Sequence, residues 1–165
     1  MSLYISAEPL NLMLDEMKDL AREHAVEVAN PALASEEIII NPSWVMMSAL
    51  AEANMFLSIA VRDGPDGPLV GYATFILFVD MHRTLADGTP LLHAQDDAYY
   101  VAPSARGPRV ALRLFAEAEA ELRLRGVRKL SIHYKPYLGG GGLLEALGFV
   151  ADDVIMVKYL APLEN

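Results

Sequence analysis

The residues best suited to chemistry lie between positions 93 and 111. "HAQDDAYYV" (93–101) carries two adjacent carboxylates and two tyrosines, and "APSARGPRVA" (102–111) follows with two arginines around a glycine, leading into a helical pattern. A helix N-terminus exposes unpaired N–H groups and roughly half a positive charge, so it can satisfy an anion without a dedicated side chain. Arg106 and Arg109 add fixed charges with bidentate donor geometry. Strand, loop and helix together therefore read as a pyrophosphate cradle. On local features alone, a strand-to-helix turn whose arginines contact only solvent is an equal reading. Strand alternation puts Gln95, Asp97, Tyr99 and Val101 on one face and Asp96 on the other. His82 and His93 bracket the loop before this strand, and imidazole titrates near neutral pH. "MH…HAQDD" has no recognised ligand spacing, so no metal site is expected. "LGGGG" (138–142) lacks the Lys-Ser/Thr of a nucleotide-binding P-loop, and it reads as a close approach or a hinge beside Tyr134 and Tyr137.

These groups must be positioned by a chain of 165 residues, enough for one domain spanning 1–165. Its 53% hydrophobic and 21% charged residues are those of a globular protein. A formal net charge of −9 repels nucleic acid and anionic lipid, so neither is an expected partner and cationic ligands are favoured. With no cysteine there is no disulfide framework, thiolate metal site or cysteine nucleophile. The start lacks a signal pattern and no run approaches ~18 uncharged apolar residues, which reads as a soluble cytoplasmic protein.

The spacing of Leu10, Leu14, Met17, Leu20, Ala21, His24 and Val28 predicts a helix over 8–29. A second, short helix starts near Asn41 or Ser43 with Trp44 toward the core. Residues 55–63 and 69–82 read as a hairpin around "GPDGP", the second strand buried on both faces. Residues 83–92 read as a loop with a turn at Asp87-Gly88, and 93–101 as the next strand. From 108 to 125 the pattern is helical, with Ala111, Leu112, Leu114, Phe115, Ala118 and Leu122 inward and Arg113/Glu117 and Glu121/Arg125 as solvated pairs. Gly126 stops it. Then come a strand (127–134), a short helix in 138–149 and a last strand (150–160). Met46, Met47, Met55 and Met81 read as core. The order gives a mixed α/β sheet.

Strand, proline, arginine, glycine and the helix "VALRLFAEAEAELRLRGV" resemble the coenzyme A-binding segment of the GNAT superfamily of acyl-CoA-dependent N-acyltransferases. The family pattern of Gln or Arg, two residues, Gly, one residue, Gly or Ala falls on Arg106 to Ala111, with Arg109 in place of the glycine. Gly126-Val127 and "LLEALGF" have counterparts too, and residues 81–107 look like the branch often seen in phage genomes. The resemblance implies a mostly antiparallel twisted sheet flanked by helices, with splayed parallel strands forming an acyl-CoA cleft. It implies acetyl-CoA as co-substrate, a cationic small-molecule or peptide amine as acceptor, and a homodimer as a permitted assembly. Cofactor contacts fall on Tyr99, Tyr100, Val101, Arg106, Gly107, Arg109, Val110 and Ala111, with the Val101 backbone as oxyanion donor. Asp97 is the leading base for the ammonium, His93 ranks below it, and Tyr137 can replace the family's tyrosine acid, whose position holds Leu144. The rival reading, which Leu144 favours, is a GNAT-fold module that binds CoA without turnover.

Overall fold

A computed structural model describes residues 2–29, 41–107, 109–135 and 141–152. The chain divides into two compact units, residues 1–133 and 134–165. In the first, the strands form one sheet in the order β1 (Leu3–Ala7), β2 (Phe56–Asp63), β3 (Leu69–Thr84), β4 (Pro90–Val101) and β5 (Lys129–Ser131). Each pair is antiparallel except β4 with β5, which is parallel. This is the expected mixed, mostly antiparallel sheet. Gly64, at φ +90°, makes the predicted turn of the β2–β3 hairpin, a conformation in which a Cβ would be strained.

Two expectations about strands change. β1 escapes prediction because five residues at a sheet edge carry too little periodicity to register. The loop expected over 83–92 shrinks to a turn at 85–89, because the antiparallel ladder continues through Val79–Leu92 to Thr84–Pro90. Leu85 N–H donates to the Thr89 carbonyl at 2.8 Å, and Gly88 sits at φ +84°.

Helices cover both faces of the sheet. On one lie α1 (Leu10–Glu27) and α2 (Trp44–Glu52), where Met13, Met17 and Leu20 pack with Ala60, Leu69, Tyr72 and Tyr100, and Trp44 joins partly buried. On the other lies α3 (Val110–Leu124), whose Leu114, Ala118 and Leu122 pack with Ile59, Val61, Ala73 and Phe75. Burying each of the leucines Leu114 and Leu122 contributes about 1.5–3 kcal/mol, which makes α3 an anchor for the loop that precedes it. The methionine assignment fails for Met46, Met55 and Met81, which are exposed: α2 has no fully buried residue, and burial along β3 ends before Val79. The predicted ion pairs on α3 also give way. Arg113 donates to the Leu3 carbonyl (3.1 Å) and Arg125 to the Phe56 carbonyl (3.0 Å), so both fasten the helix to strands, and Arg123 pairs with Glu119 instead. Gly126, at φ +80°, ends α3 as expected, with Val127 N–H reaching back to the Leu122 carbonyl.

In the second unit, α4 (Gly141–Ala146) ends before Gly148 at φ +87°, and Leu144 is buried. Residues 150–152 are outside any strand, and the rest of the predicted last strand lies outside the described residues, as do Pro108 and Tyr137.

Candidate active site

The site starts from a shortage of strand pairing. β4 and β5 pair only at His93–Lys129, Ala94–Leu130 and Gln95–Ser131, after which β4 continues to Val101 alongside β3. Among the described residues, the parallel strands therefore part at Asp96. The backbone N–H of His133, two residues beyond β5, donates to Asp96 Oδ1 at 2.7 Å, and the same oxygen lies 2.9 Å from His133 Nδ1. A carboxylate thus stands in for strand backbone as the acceptor, and ties the segment after β5 to β4 through a side chain. The Asp96 side chain is 5% exposed and that of His133 44%. Burial pushes the Asp96 carboxyl above its usual range, with the His133 contacts acting against that shift.

The opening coincides with an irregularity in β4. Thr74 is opposite Ala98 and Phe75 opposite Asp96, so Asp97 is an extra residue, a β-bulge. This overturns the expectation that Asp97 shares a face with Tyr99 and Val101. Tyr99 and Val101 pack with the α3-side core, whereas Asp97 Oδ2 lies 3.1 Å from the hydroxyl of buried Thr74. That hydroxyl is also 3.2 Å from the Ala98 carbonyl, so its single proton is shared. Alternation fails because the bulge adds one residue and turns the strand's phase. Asp97 is exposed, yet desolvation around its carboxyl pushes its pKa up, outweighing the Thr74 contact. Near it on the same face, Tyr72 OH lies 3.0 Å from His24 Nδ1, the His24 ring stacks on Tyr100 at 5.1 Å, and Tyr100 OH donates to Glu23.

At its C-terminal end β4 runs through a 3₁₀ turn (Pro103–Ala105) into α3. Tyr99, Tyr100, Val101, Arg106, Gly107, Arg109, Val110 and Ala111 are thus brought together as one strand–turn–helix unit. Tyr99 packs edge-on against Phe115 of α3 (5.5 Å), and Tyr100 faces α1. Arg109 precedes α3 without a capping side-chain bond, and no acidic residue stands in the first turn. Gly107 does not adopt positive φ, and a Cβ on it would meet only Val110 Cγ2 at 3.7 Å. Packing among the described residues therefore does not require glycine there. Arg106 turns back on the fold: Nε donates to the Val101 carbonyl at 2.8 Å, a terminal nitrogen pairs with Glu27, and the guanidinium lies 5.5 Å from the Tyr100 ring centroid.

His93 stands apart from this unit. It is buried, with Nε2 2.8 Å from Ser131 Oγ and its ring against Phe78 at 4.6 Å, where β4 and β5 are still paired. Four residues along a strand put it roughly 13 Å from Asp97. Burial, and then Lys129, pushes its pKa down. His82, the other loop histidine, is exposed. Sequence reasoning missed His133 and the part played by Asp96. The available signal was a histidine at the end of the strand expected to splay, but only the pairing register shows that it meets Asp96. Among the described residues, no cluster of three or more His, Asp or Glu is placed to hold a metal ion, and no helix is long and apolar enough to cross a membrane.

Solved structures share this architecture. A predicted acetyltransferase from Clostridium acetobutylicum, with acetyl-CoA, superposes with a TM-score of 0.70 at 13% identity, covering 96% of each chain. AAC(6')-Iy, in complex with a bisubstrate analogue, CoA-S-monomethyl-acetylneamine, gives 0.66 at 18% identity over 98% of this chain and 100% of that one. A ribosomal-protein-alanine N-acetyltransferase from Brucella melitensis biovar Abortus 2308 gives 0.67 at 20% identity over 97% and 100%. Identities this low establish the fold, an α/β sheet of the acetyltransferase type. No curated protein matches by sequence. The acetyltransferase (GNAT) family model matches residues 13–149, and the chain belongs to that family.

Proposed function

We propose that the protein is an acyl-CoA-dependent N-acetyltransferase that moves an acetyl group from acetyl-CoA to a cationic small-molecule or peptide amine. The observation that carries this reading is the parting of β4 from β5 at Asp96, next to a strand–turn–helix whose helix N-terminus has no side-chain cap. An extended pantetheine adds to the freed β4 backbone from Tyr99 to Val101 much as a strand would. The pyrophosphate lies at the start of α3, near Val110, Ala111 and the exposed Arg109. Gly107 fits a position that a ligand approaches from outside, since among the described residues only Val110 Cγ2, at 3.7 Å, borders its side-chain space. Arg106 acts as an anchor of that loop, because its guanidinium is committed to Val101, Glu27 and Tyr100.

The acceptor approaches Asp97, whose bulged carboxylate attracts an alkylammonium and takes its proton before attack. A raised carboxyl pKa suits that task, since it strengthens the base. The attacking amine adds to the thioester carbonyl and gives its second proton to solvent, and the C–S bond breaks to release the CoA thiolate. His93 takes no part. Residues 1–165 work as one domain on this reading, supported by a family match that runs across residue 134. A cytoplasmic place, membership of the phage-type branch and a dimer belong to the same proposal.

Thermal unfolding with and without acetyl-CoA tests binding. Ligand at about 100 times its Kd should stabilise the fold by ~2.7 kcal/mol. No shift at millimolar acetyl-CoA would refute the reading. Thiol release over polyamines, aminoglycosides and peptides with free N-termini then separates an enzyme from a CoA-binding module, the alternative favoured by Leu144 at the family's tyrosine position.

A further inference from the structure

We propose that His133, held in place by Asp96, is the general acid that protonates the departing CoA thiolate. This rests on the acyl-CoA reading above and assigns a role that the leucine at 144 cannot fill. Three observations carry it. His133 follows β5 where that strand leaves β4, so it stands at the opening in which the thioester end of an extended pantetheine would lie. Its Nδ1 is fixed: Asp96 Oδ1 already accepts the His133 backbone N–H, so this oxygen is an acceptor for Nδ1–H as well. That leaves Nε2, in a side chain 44% exposed, as the nitrogen to exchange a proton with a ligand or with water.

The chemistry balances. Asp97 takes one proton from the ammonium, the amine nitrogen bonds to the acetyl carbon and gives its second proton to solvent water, the C–S bond breaks, and the electron pair goes to sulfur. His133 Nε2–H gives its proton to that sulfur. The products are an amide and free CoA thiol, with Asp97 protonated and His133 neutral. Both side chains are open to solvent, which removes one proton and supplies the other. A departing thiolate, with a pKa of ~8.5 for a cysteine-like thiol, is basic enough to take a proton offered by a neighbouring N–H. Asp96 is a positioning residue: its carboxylate orients the ring and stabilises the imidazolium. The groups that act on Asp96 are His133 from the β5 side and Asp97 from its own strand, and Asp96 in turn helps push up Tyr99.

The test uses the full chain labelled with ¹⁵N at its four histidines. Adding CoA should move the His133 ring signals, and adding desulfo-CoA, which lacks the thiol, should move them far less. Equal shifts with both, or none with either while CoA binds, would overturn the assignment without touching the cofactor reading. Absence of CoA binding would overturn both. In thiol-release assays with spermidine, kanamycin and an alanine-ended peptide, His133→Asn should lower kcat by about a hundred-fold. Its acetyl-CoA Kd should stay within about three-fold, and the loss of activity at high pH that marks an acid should disappear. Asp96→Asn keeps an oxygen for the His133 backbone and should move that high-pH limb to lower pH, which a merely structural role would not do. An unchanged kcat in His133→Asn would refute the proposal.

Discussion

Arg106→Ala separates two uses of the first motif arginine. Its Nε bond to the Val101 carbonyl joins a charged donor to backbone, but at 44% side-chain exposure about 1 kcal/mol is the appropriate share of what such bonds contribute. The pair with Glu27, itself 44% exposed, adds about 0.2–1 kcal/mol, and the contact over the Tyr100 ring about 0.5 kcal/mol. The variant should therefore lose about 2 kcal/mol of stability. For a chain of this length that is a fall in Tm of about 4–8 °C. Affinity should fall only a few-fold, and equally for acetyl-CoA and for acetyl-pantetheine, which has no pyrophosphate. Differential scanning calorimetry and isothermal titration measure the two quantities, and a double-mutant cycle with Glu27→Gln isolates the ion pair. If Tm holds steady while acetyl-CoA alone weakens by thirty-fold or more, Arg106 leaves Glu27 to grip the pyrophosphate and the anchoring argument is wrong.

Asp97→Asn should lower kcat by about a hundred-fold or more while leaving Tm at neutral pH equal or higher. The sign follows from a folded pKa raised by burial: the proton is held more firmly in the fold, so the contribution to stability is present below the ordinary carboxylate value of ~3.9 and is lost as pH rises through the raised one. A clear fall in Tm at pH 7 would show that the Thr74 contact outweighs desolvation. In the wild type, turnover should rise with pH through that same raised value. Gly71→Ala should cost about 1–3 kcal/mol, because its Cβ would meet the Tyr100 carbonyl oxygen at 2.8 Å and Val101 Cα at 3.1 Å. It should also weaken acetyl-CoA by displacing Val101, and an unchanged urea midpoint would show that β4 yields at no cost.

Much of this molecule is written locally. The helix faces of α1 and α3, the stops at Gly126 and Gly64, and the strand–loop–helix at 99–111 follow from spacing and from backbone conformations that glycine alone takes easily. The motif residues can be read from order because they touch through the chain itself. The partners of Asp97, Arg106 and His133 cannot. Counting in twos places Asp97 on the face of Tyr99 and Val101, and one inserted residue in the β3–β4 register reverses that count, which only the pairing with β3 reveals. Arg106 reads as a free charge beside a helix until α1 supplies Glu27, 79 residues earlier in sequence. His133 is an ordinary strand-end histidine until β5 parts from β4 after Ser131 and leaves its backbone to Asp96. Propensity and pattern act over a few residues, whereas pairing register and burial are set by segments far apart in the chain. That is why the strand–turn–helix at 99–111 was legible in the sequence and the placing of Asp96, Asp97 and His133 was decided only by the tertiary structure.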